Sequence, residues 1–462
     1  MWAFMMVTLG PCTPSPERET RSDVVVHLFE WPFADVAREC TSVLGPAGVG
    51  GVQVSPPQEH ILLESAPWWE RYQPVSYLLE GRLGSRRDFA HMVRQCRRAG
   101  VDVVVDVVLN HTTALPEGEG SAGTPFERYH IPGVYEDADF HGCRRPIHDW
   151  LSRHEMWNCE LFGLPDLATE TAPVRERLAG HLTDLWALGV RGLRVDSAKH
   201  MPPDDLRAIL GRVDGTFDDP LLEVIDGGAI AASEYYGIGR VTDFAFGMQV
   251  SHAVRRGDLA SLRTLGRDLL PPDRSFVFVD NHDTQRHTGS ERPLTFVDGG
   301  RHTLAVAFML AFSPSKPRLM SSYTFANRDA GVPVDARGRN AAALDGLGQC
   351  RAPYVCEHRQ PAVRGLVDFR AWVGDAPVTH WWSEGRERIA FSRGDRGFVA
   401  FNADPLRPWT ARIPTGLPAG RYCDVASSRD ECREIDVDEA GLASVDVAPY
   451  RVLALHRGAP AR

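Results

Sequence analysis

Three short stretches of the chain each end an apolar, β-type run in an acid: GLRVDSAKH with Asp196, LLEVIDGG with Glu223 and FVFVDNHDTQR with Asp283. Each acid falls where a buried parallel strand would emerge into a loop. In an eight-stranded α/β barrel that is the face on which active sites are built. Two carboxyl groups facing one bond, with a third nearby, is the equipment of glycoside hydrolysis. A single acid of this kind would more simply be a helix cap or a loop charge. Three of them, each in its own long motif, outweigh that reading.

The same motifs carry histidines: His111 in DVVLNH, His200 in AKH and His282 in NHD. Each could hydrogen-bond a sugar, and each taken alone could equally be a satisfied structural residue. In PWWERYQP, Trp68, Trp69 and Tyr72 offer flat faces for pyranose rings, and Gln73 offers a hydroxyl partner. Adjacent tryptophans are often core. Here they flank the charged Glu70 and Arg71 in a proline-bounded loop, which predicts exposure to a cleft.

What must position these groups is an alternation of β-rich runs with amphipathic helical stretches, the pattern of βα units. Eight strands are expected, at 24–29, 51–56, 101–109, 192–197, 221–225, 241–246, 276–281 and 318–323. Helices are expected at 33–44, 86–100 and 172–189, the last ending on Gly189. Eight strands are what a closed (β/α)8 TIM barrel needs. Two regions break the rhythm. Residues 111–170 are polar and too long for an ordinary βα loop, and predict a small domain inserted after strand 3. From 376 to 462 short alternating strands predict a C-terminal antiparallel β-sandwich. The barrel would then comprise 23–110 and 171–375, after a lead of residues 1–22. That lead is either a signal peptide lacking its basic start or a short disordered segment.

A chain of 462 residues, 43% hydrophobic, can bury a large core. Its net charge of −10 is spread along the sequence, with no basic stripe for nucleic acid and no apolar run long enough to cross a membrane. Lysine occurs only as Lys199 and Lys316, so an ammonium group inside the AKH motif is notable. Of nine cysteines, eight have spacings that suggest the pairs Cys40–Cys96, Cys143–Cys159, Cys350–Cys356 and Cys423–Cys432, with Cys12 left over. Eight free thiols in a reducing compartment are the alternative. Four plausible pairs favour disulfides and secretion.

Taken together, HLFEW, GGVQVSPPQEH, PWWERYQPVSY, DVVLNH, GLRVDSAKH, EVIDGG, FVDNHDTQR, RLMSSY, CEHR and LPAGRYCDV resemble the α-amylases, and among them the animal-type, chloride-dependent branch. The resemblance runs from Val24 to the C-terminus. It implies a retaining endo-hydrolase of α-1,4-glucans such as starch and glycogen, with Asp196 as nucleophile, Glu223 as general acid/base and Asp283 as transition-state stabiliser. Arg194, Lys199, His111, His200, His282 and Asp329 would contact the sugar, and Asp106 would orient the site from behind. A structural Ca2+ is implied at Asn110 and Asp166, with main-chain carbonyls near Trp157 and at His200. An activating Cl− is implied at Arg194, Asn281 and Arg318. Two guanidinium groups in a barrel interior would need a counter-ion, and an anion near Glu223 would keep it protonated. The apolar neighbours Leu222 and Val224 are expected to help by desolvating that acid.

The chain also departs from the family. Leu222 replaces a frequent glutamine, the segment after EVID is one residue short and places Ala229 where a glutamate is usual, and HTGSERP replaces a glycine-rich loop. Product size is thereby left open. A maltooligosaccharide-trimming enzyme or a glucanotransferase is the second reading, and a catalytically silent carbohydrate-binding protein on the same fold the third. The intact acid set argues against the third. A monomer is expected.

Overall fold

The structure, a computed structural model, describes residues 21–427 and 432–461. The lead expected over residues 1–22 therefore lies, but for its last two residues, outside the described residues, as does Cys12.

Eight parallel strands close a barrel. They are β1 (Val25–Leu28), β2 (Gly51–Val54), β3 (Asp102–Val107), β4 (Gly192–Val195), β5 (Leu221–Leu222), β6 (Arg240–Asp243), β7 (Ser275–Val277) and β8 (Lys316–Ser321). Each pairs with its sequence neighbours, and β1 closes on β8 through Val25 opposite Arg318. All eight expected runs are present, seven of them shorter than expected and the eighth, Lys316–Ser321, of the expected length but begun two residues earlier. The strands are buried on both faces because their side chains alternate between two cores. Val25, Val104, Leu221, Phe276 and Phe278 fill the barrel interior. Val26, Val52, Val103 and Val105 pack outward against the helical layer.

The three expected helices form as α1 (Phe33–Glu39), which continues in wider turns to Leu44, α2 (Arg86–Arg98) and α3 (Ala172–Leu188). Ser85 and Asp88 cap the start of α2 reciprocally. Gly189 ends α3 at φ 104°, a left-handed turn that glycine adopts without a Cβ penalty. One expectation fails at its end. The sixth strand was expected to reach residue 246, but β6 stops at Asp243. That carboxylate accepts the Phe246 N–H at 3.2 Å and so starts helix α4 (Phe244–Arg255).

Between β3 and α3 the chain leaves the barrel in two small ladders and a short helix, Arg153–Asn158. Past the barrel, two four-stranded antiparallel sheets stack as a sandwich. Helix α5 (Gly300–Phe312) joins it to the barrel, with Phe308 set against Phe391 and Phe401 at 6.2 and 5.8 Å between ring centres.

All four cysteine pairs are disulfides, which excludes eight free thiols. Cys40–Cys96 ties the end of the first helical unit to α2 across 56 residues of sequence. Closing a loop of that size restricts the unfolded chain by about 4 kcal/mol. Replacing both cysteines by alanine is therefore expected to lower stability by about that amount in guanidinium unfolding. A loss below about 1 kcal/mol would mean that the bridge adds nothing to the fold.

Candidate active site

Strand register builds the centre of the site. Arg194 on β4 stands opposite Asp106 on β3, and both point into the barrel. Asp196 follows β4 directly, and its N–H donates to the Val107 carbonyl at 2.9 Å. Glu223 follows β5 directly, with its N–H on the Val195 carbonyl at 3.0 Å. The backbone thus stays in barrel register until each acid is in place, and Asp283 enters from the turn beyond β7.

One guanidinium gathers three of the carboxylates. Arg194 Nη1 lies 2.7 Å from Asp106 and 2.8 Å from Asp196, and Nη2 lies 2.8 Å from Glu223. Ser197, held at φ 49°, completes the arrangement: its hydroxyl donates to Asp196 at 2.9 Å and its N–H to Glu223 at 2.9 Å. Below them, the Tyr72 hydroxyl donates to Asp106 at 2.9 Å. Burial pushes Asp106 up to about 7 against the pull of Arg194.

Asp283 is likewise pushed up to about 7, by enclosure first and by the charge on Glu223 second. Water still reaches 40% of this side chain, which screens the first cause; a bound sugar removes that screening. Leu222 and Val224 do not act as expected. They face the outer core, on the opposite side of the chain from the Glu223 carboxyl, and so cannot desolvate it.

These acids open into a cleft of about 440 Å³. Trp68, Trp69, Tyr72 and His111 line one part of it, Lys199 and His200 another, and His282 lies beside Asp283. Tyr72 and His282 stack at 5.3 Å, 9° from parallel. Burial holds both His111 and His282 below the usual imidazole range, so both rings are neutral donors and acceptors. Each has a buried Nδ1 with no hydrogen-bond partner.

The tryptophans are half-buried at the cleft as expected, but their charged neighbours are not exposed beside them. Glu70 and Arg71 are fully buried, Arg71 paired with Glu30 at 2.8 Å and Glu70 with Arg82. They form the internal brace that holds the aromatic turn out. Three expected sugar contacts do not line the cleft: Arg194 is buried beneath it on its three carboxylates, and Gln73 and Asp329 are engaged elsewhere. Gln73 accepts from Thr113 and the Ala114 N–H, and Asp329 uses its carbonyl to hold the Trp68 N–H.

Deeper in the barrel Arg318 is buried over Phe276 and Phe278, donating to Gln53 Oε1 at 3.2 Å. Among the described residues no carboxylate pairs with it. Burial, and then the Arg194 charge, lower it to about 10. Arg194, by contrast, already has three carboxylates, so only one of the two arginines lacks counter-charge. Asn281 turns its Oδ1 to the N–H groups of Asp283 and Thr284.

At the inserted region, Asn110 donates to Asp166 at 3.0 Å and His141 meets the other carboxylate oxygen at 2.6 Å. Burial pushes Asp166 up to about 7. Trp157 and His200 are neighbours there, through Trp157 Nε1 on the Lys199 carbonyl and His200 Nδ1 near the Met156 carbonyl. His141 and Gln53 escaped the sequence reading, since His141 lies in the irregular inserted region and Gln53 inside a strand, and neither ends an apolar run. Trp150 and Phe162, which also line the cleft, escaped it because their loop is irregular.

Residues 381–458 match the family model for the α-amylase C-terminal all-β domain. The chain is 44% identical to an α-amylase of Thermomonospora curvata, over 92% of this chain and 70% of that one. It is 40% identical to an α-amylase of Tribolium castaneum, over 94% and 93%. The crystal structure of α-amylase I from Eisenia fetida superposes with a TM-score of 0.88 at 37% identity, covering 95% of this chain and 98% of that one. A variant of the same Eisenia fetida protein has been solved in complex with maltohexaose.

Proposed function

The chain belongs to the α-amylase family, glycoside hydrolases that it matches over nearly its whole length, and from that premise we propose that it cuts internal α-1,4 bonds of starch-like glucans with retention. The observation that carries this reading is the Arg194 fork, which holds Asp196 and Glu223 at 2.8 Å each beneath an aromatic cleft. Sharing one guanidinium keeps the two carboxyls close, as a covalent intermediate needs.

Asp196 attacks the anomeric carbon while Glu223 gives its proton to the departing oxygen. Water then attacks the glycosyl ester, its proton returns to Glu223, and Asp196 leaves. Asp283, with His111 and His282, lies against the ring that gains positive charge. The charge on Glu223 adds to enclosure in pushing Asp283 up.

The residues present fit both implied ions. Asp166 is a buried carboxylate with only Asn110 and His141 against it, an environment that a hard cation would relieve. Among the described residues no group of three His, Cys, Asp or Glu side chains could hold a metal. A calcium ion would therefore use Asp166, the Asn110 amide oxygen and the carbonyls at His200 and near Trp157. Its role would be to tie the inserted region to the barrel. A chloride ion fits Arg318, the arginine without a carboxylate, with Asn281 Nδ2 and the edge of Arg194 as further donors. Four disulfides support an extracellular setting. Among the described residues no helix is long and apolar enough to cross a membrane.

Reducing-end release from soluble starch tests both the reaction and the anion. Adding chloride to chloride-free buffer is expected to raise the rate about tenfold, the effect of one pKa unit on the acid. Arg318→Gln is expected to lose that response. Indifference of the wild type to chloride would remove the anion and keep the hydrolase. No release at all with calcium present would point to short oligosaccharides, and failing those to the silent binder.

A further inference from the structure

Behind the turn that carries Asp283 lies a charged pair that the mechanism above does not use. His302, on the first turn of α5, and Asp280, past the end of β7, are each 2% exposed. His302 Nε2 lies 2.9 Å from Asp280 Oδ1. The plain reading is a staple between helix and strand. Such a pair adds little net stability, because both groups lose their water.

The same carboxylate also reaches the catalytic turn. Its other oxygen, Oδ2, accepts from Gln285 Nε2 at 2.7 Å. Asp280 and Gln285 thereby clamp the two ends of the segment that holds Asn281, His282, Asp283 and Thr284. Inside the clamp the Asn281 N–H donates to Thr284 Oγ1 at 2.9 Å, and the Gln285 N–H to the Asn281 carbonyl at 3.0 Å. With Asn281 Oδ1 on the N–H groups of Asp283 and Thr284, the turn is one hydrogen-bonded unit. Asp280 is where that unit meets α5.

His302 supplies the positive charge in this interior. Burial disfavours that charge, but Asp280 first, then Glu357 and Asp298, outweigh burial and raise the ring above the usual imidazole range. Asp298, in the turn before α5, is already tied to Arg292 at 2.6 Å. Glu357 accepts the Ser322 N–H on Oε2 at 2.8 Å, and its buried Oε1 has no hydrogen-bond partner. It lines a small cavity with His302 and His358, closed by Gln360 and Val363. His358 is itself engaged by Ser321 and Glu39.

We propose that His302 is a positioning residue for Asp283: by fixing the Asp280 carboxylate it fixes the clamp, and so sets the Asp283 carboxyl in place before a sugar arrives. This rests on the hydrolase reading above. His302 touches no substrate, and its effect on the reaction passes through Asp280 and the turn. Misplacing a catalytic group by about 1 Å can cost about a hundredfold in rate, so a modest slackening of the clamp is measurable.

The test pairs His302→Phe, which keeps a ring without either nitrogen, with His302→Gln, whose amide can still donate near the place of Nε2. Soluble starch and an activated aryl maltotrioside are the substrates. His302→Phe is expected to lose about tenfold in kcat on both, with KM within about twofold, because Asp283 faces the sugar ring rather than the leaving oxygen. His302→Gln should lose only about threefold. In an Asp283→Asn background either substitution should cost less than about twofold, since the group it acts through is already gone. Equal losses in the two backgrounds, or no loss from either variant alone, would overturn the positioning role and leave the hydrolase standing. If the phenylalanine variant shows no melting transition, the glutamine variant carries the same comparison. Wild-type enzyme that cuts neither substrate would overturn the hydrolase reading and the positioning role with it.

Discussion

Asp196→Asn is expected to leave less than about one part in ten thousand of the wild-type kcat on starch, with the fold intact. The amide has almost the carboxylate's shape, so it can still accept from Ser197 and from Arg194, which keeps Asp106 and Glu223 as counter-charge. What it lacks is the ability to form a glycosyl ester. The matching positive experiment is a slow fluorinated glucoside, which should add its mass to the wild-type peptide containing Asp196 and not to the variant. Residual activity above about 1% would move the nucleophile elsewhere.

Glu223→Gln should show a different signature. On starch, kcat/KM is expected to fall by about a thousandfold or more, since the leaving oxygen loses its proton donor. On a substrate with an activated aryl leaving group that needs no proton, the first step should recover, giving a burst followed by slow turnover. Asp283→Asn should be equally poor on both substrates. The comparison matters because it is Asp283 that is pushed up to about 7, and the charge on Glu223 is part of the cause. A raised carboxyl is protonated below that value and loses its proton as pH rises through it. Because Asp283 stabilises positive charge only as the carboxylate, the acidic limb of kcat/KM should rise through that region for the wild type and move to lower pH in Glu223→Gln, where the neighbouring charge is gone. Leaving-group dependence in Asp283→Asn, rather than in Glu223→Gln, would exchange their roles.

Much of the site could be read before any coordinates. A parallel barrel strand is buried on both faces, so an acid at its end stands out against a run of valines, and Asp196 and Glu223 could be found by that contrast alone. The eight strands could be counted for the same reason. Their ends could not, because a strand stops where a side chain finds a better use, as Asp243 does in capping α4. Cysteine spacing sufficed for pairs that are close along the chain. Contacts between distant segments were out of reach: Glu70 and Arg71 look exposed in sequence and are buried because Glu30 and Arg82 come to meet them. Trp150 and Phe162 were hidden for the same reason, since a loop declares its neighbours only once folded. The fork at Arg194 was half visible. Its proximity to Asp196 follows from two residues of strand, while Asp106 and Glu223 arrive from the strands on either side.

That fork has a consequence for how the protein tolerates change. Asp106, Asp196 and Glu223 share one cation, so altering one acid redistributes the field felt by the other two. Single substitutions among them will not sum in a double-mutant cycle. Lysine, a compact point charge without the planar fork, cannot reproduce the bidentate reach at position 194. The four residues thus form one heritable unit: a lineage could revise the set in concert, but each lone step would alter the field on those that remain.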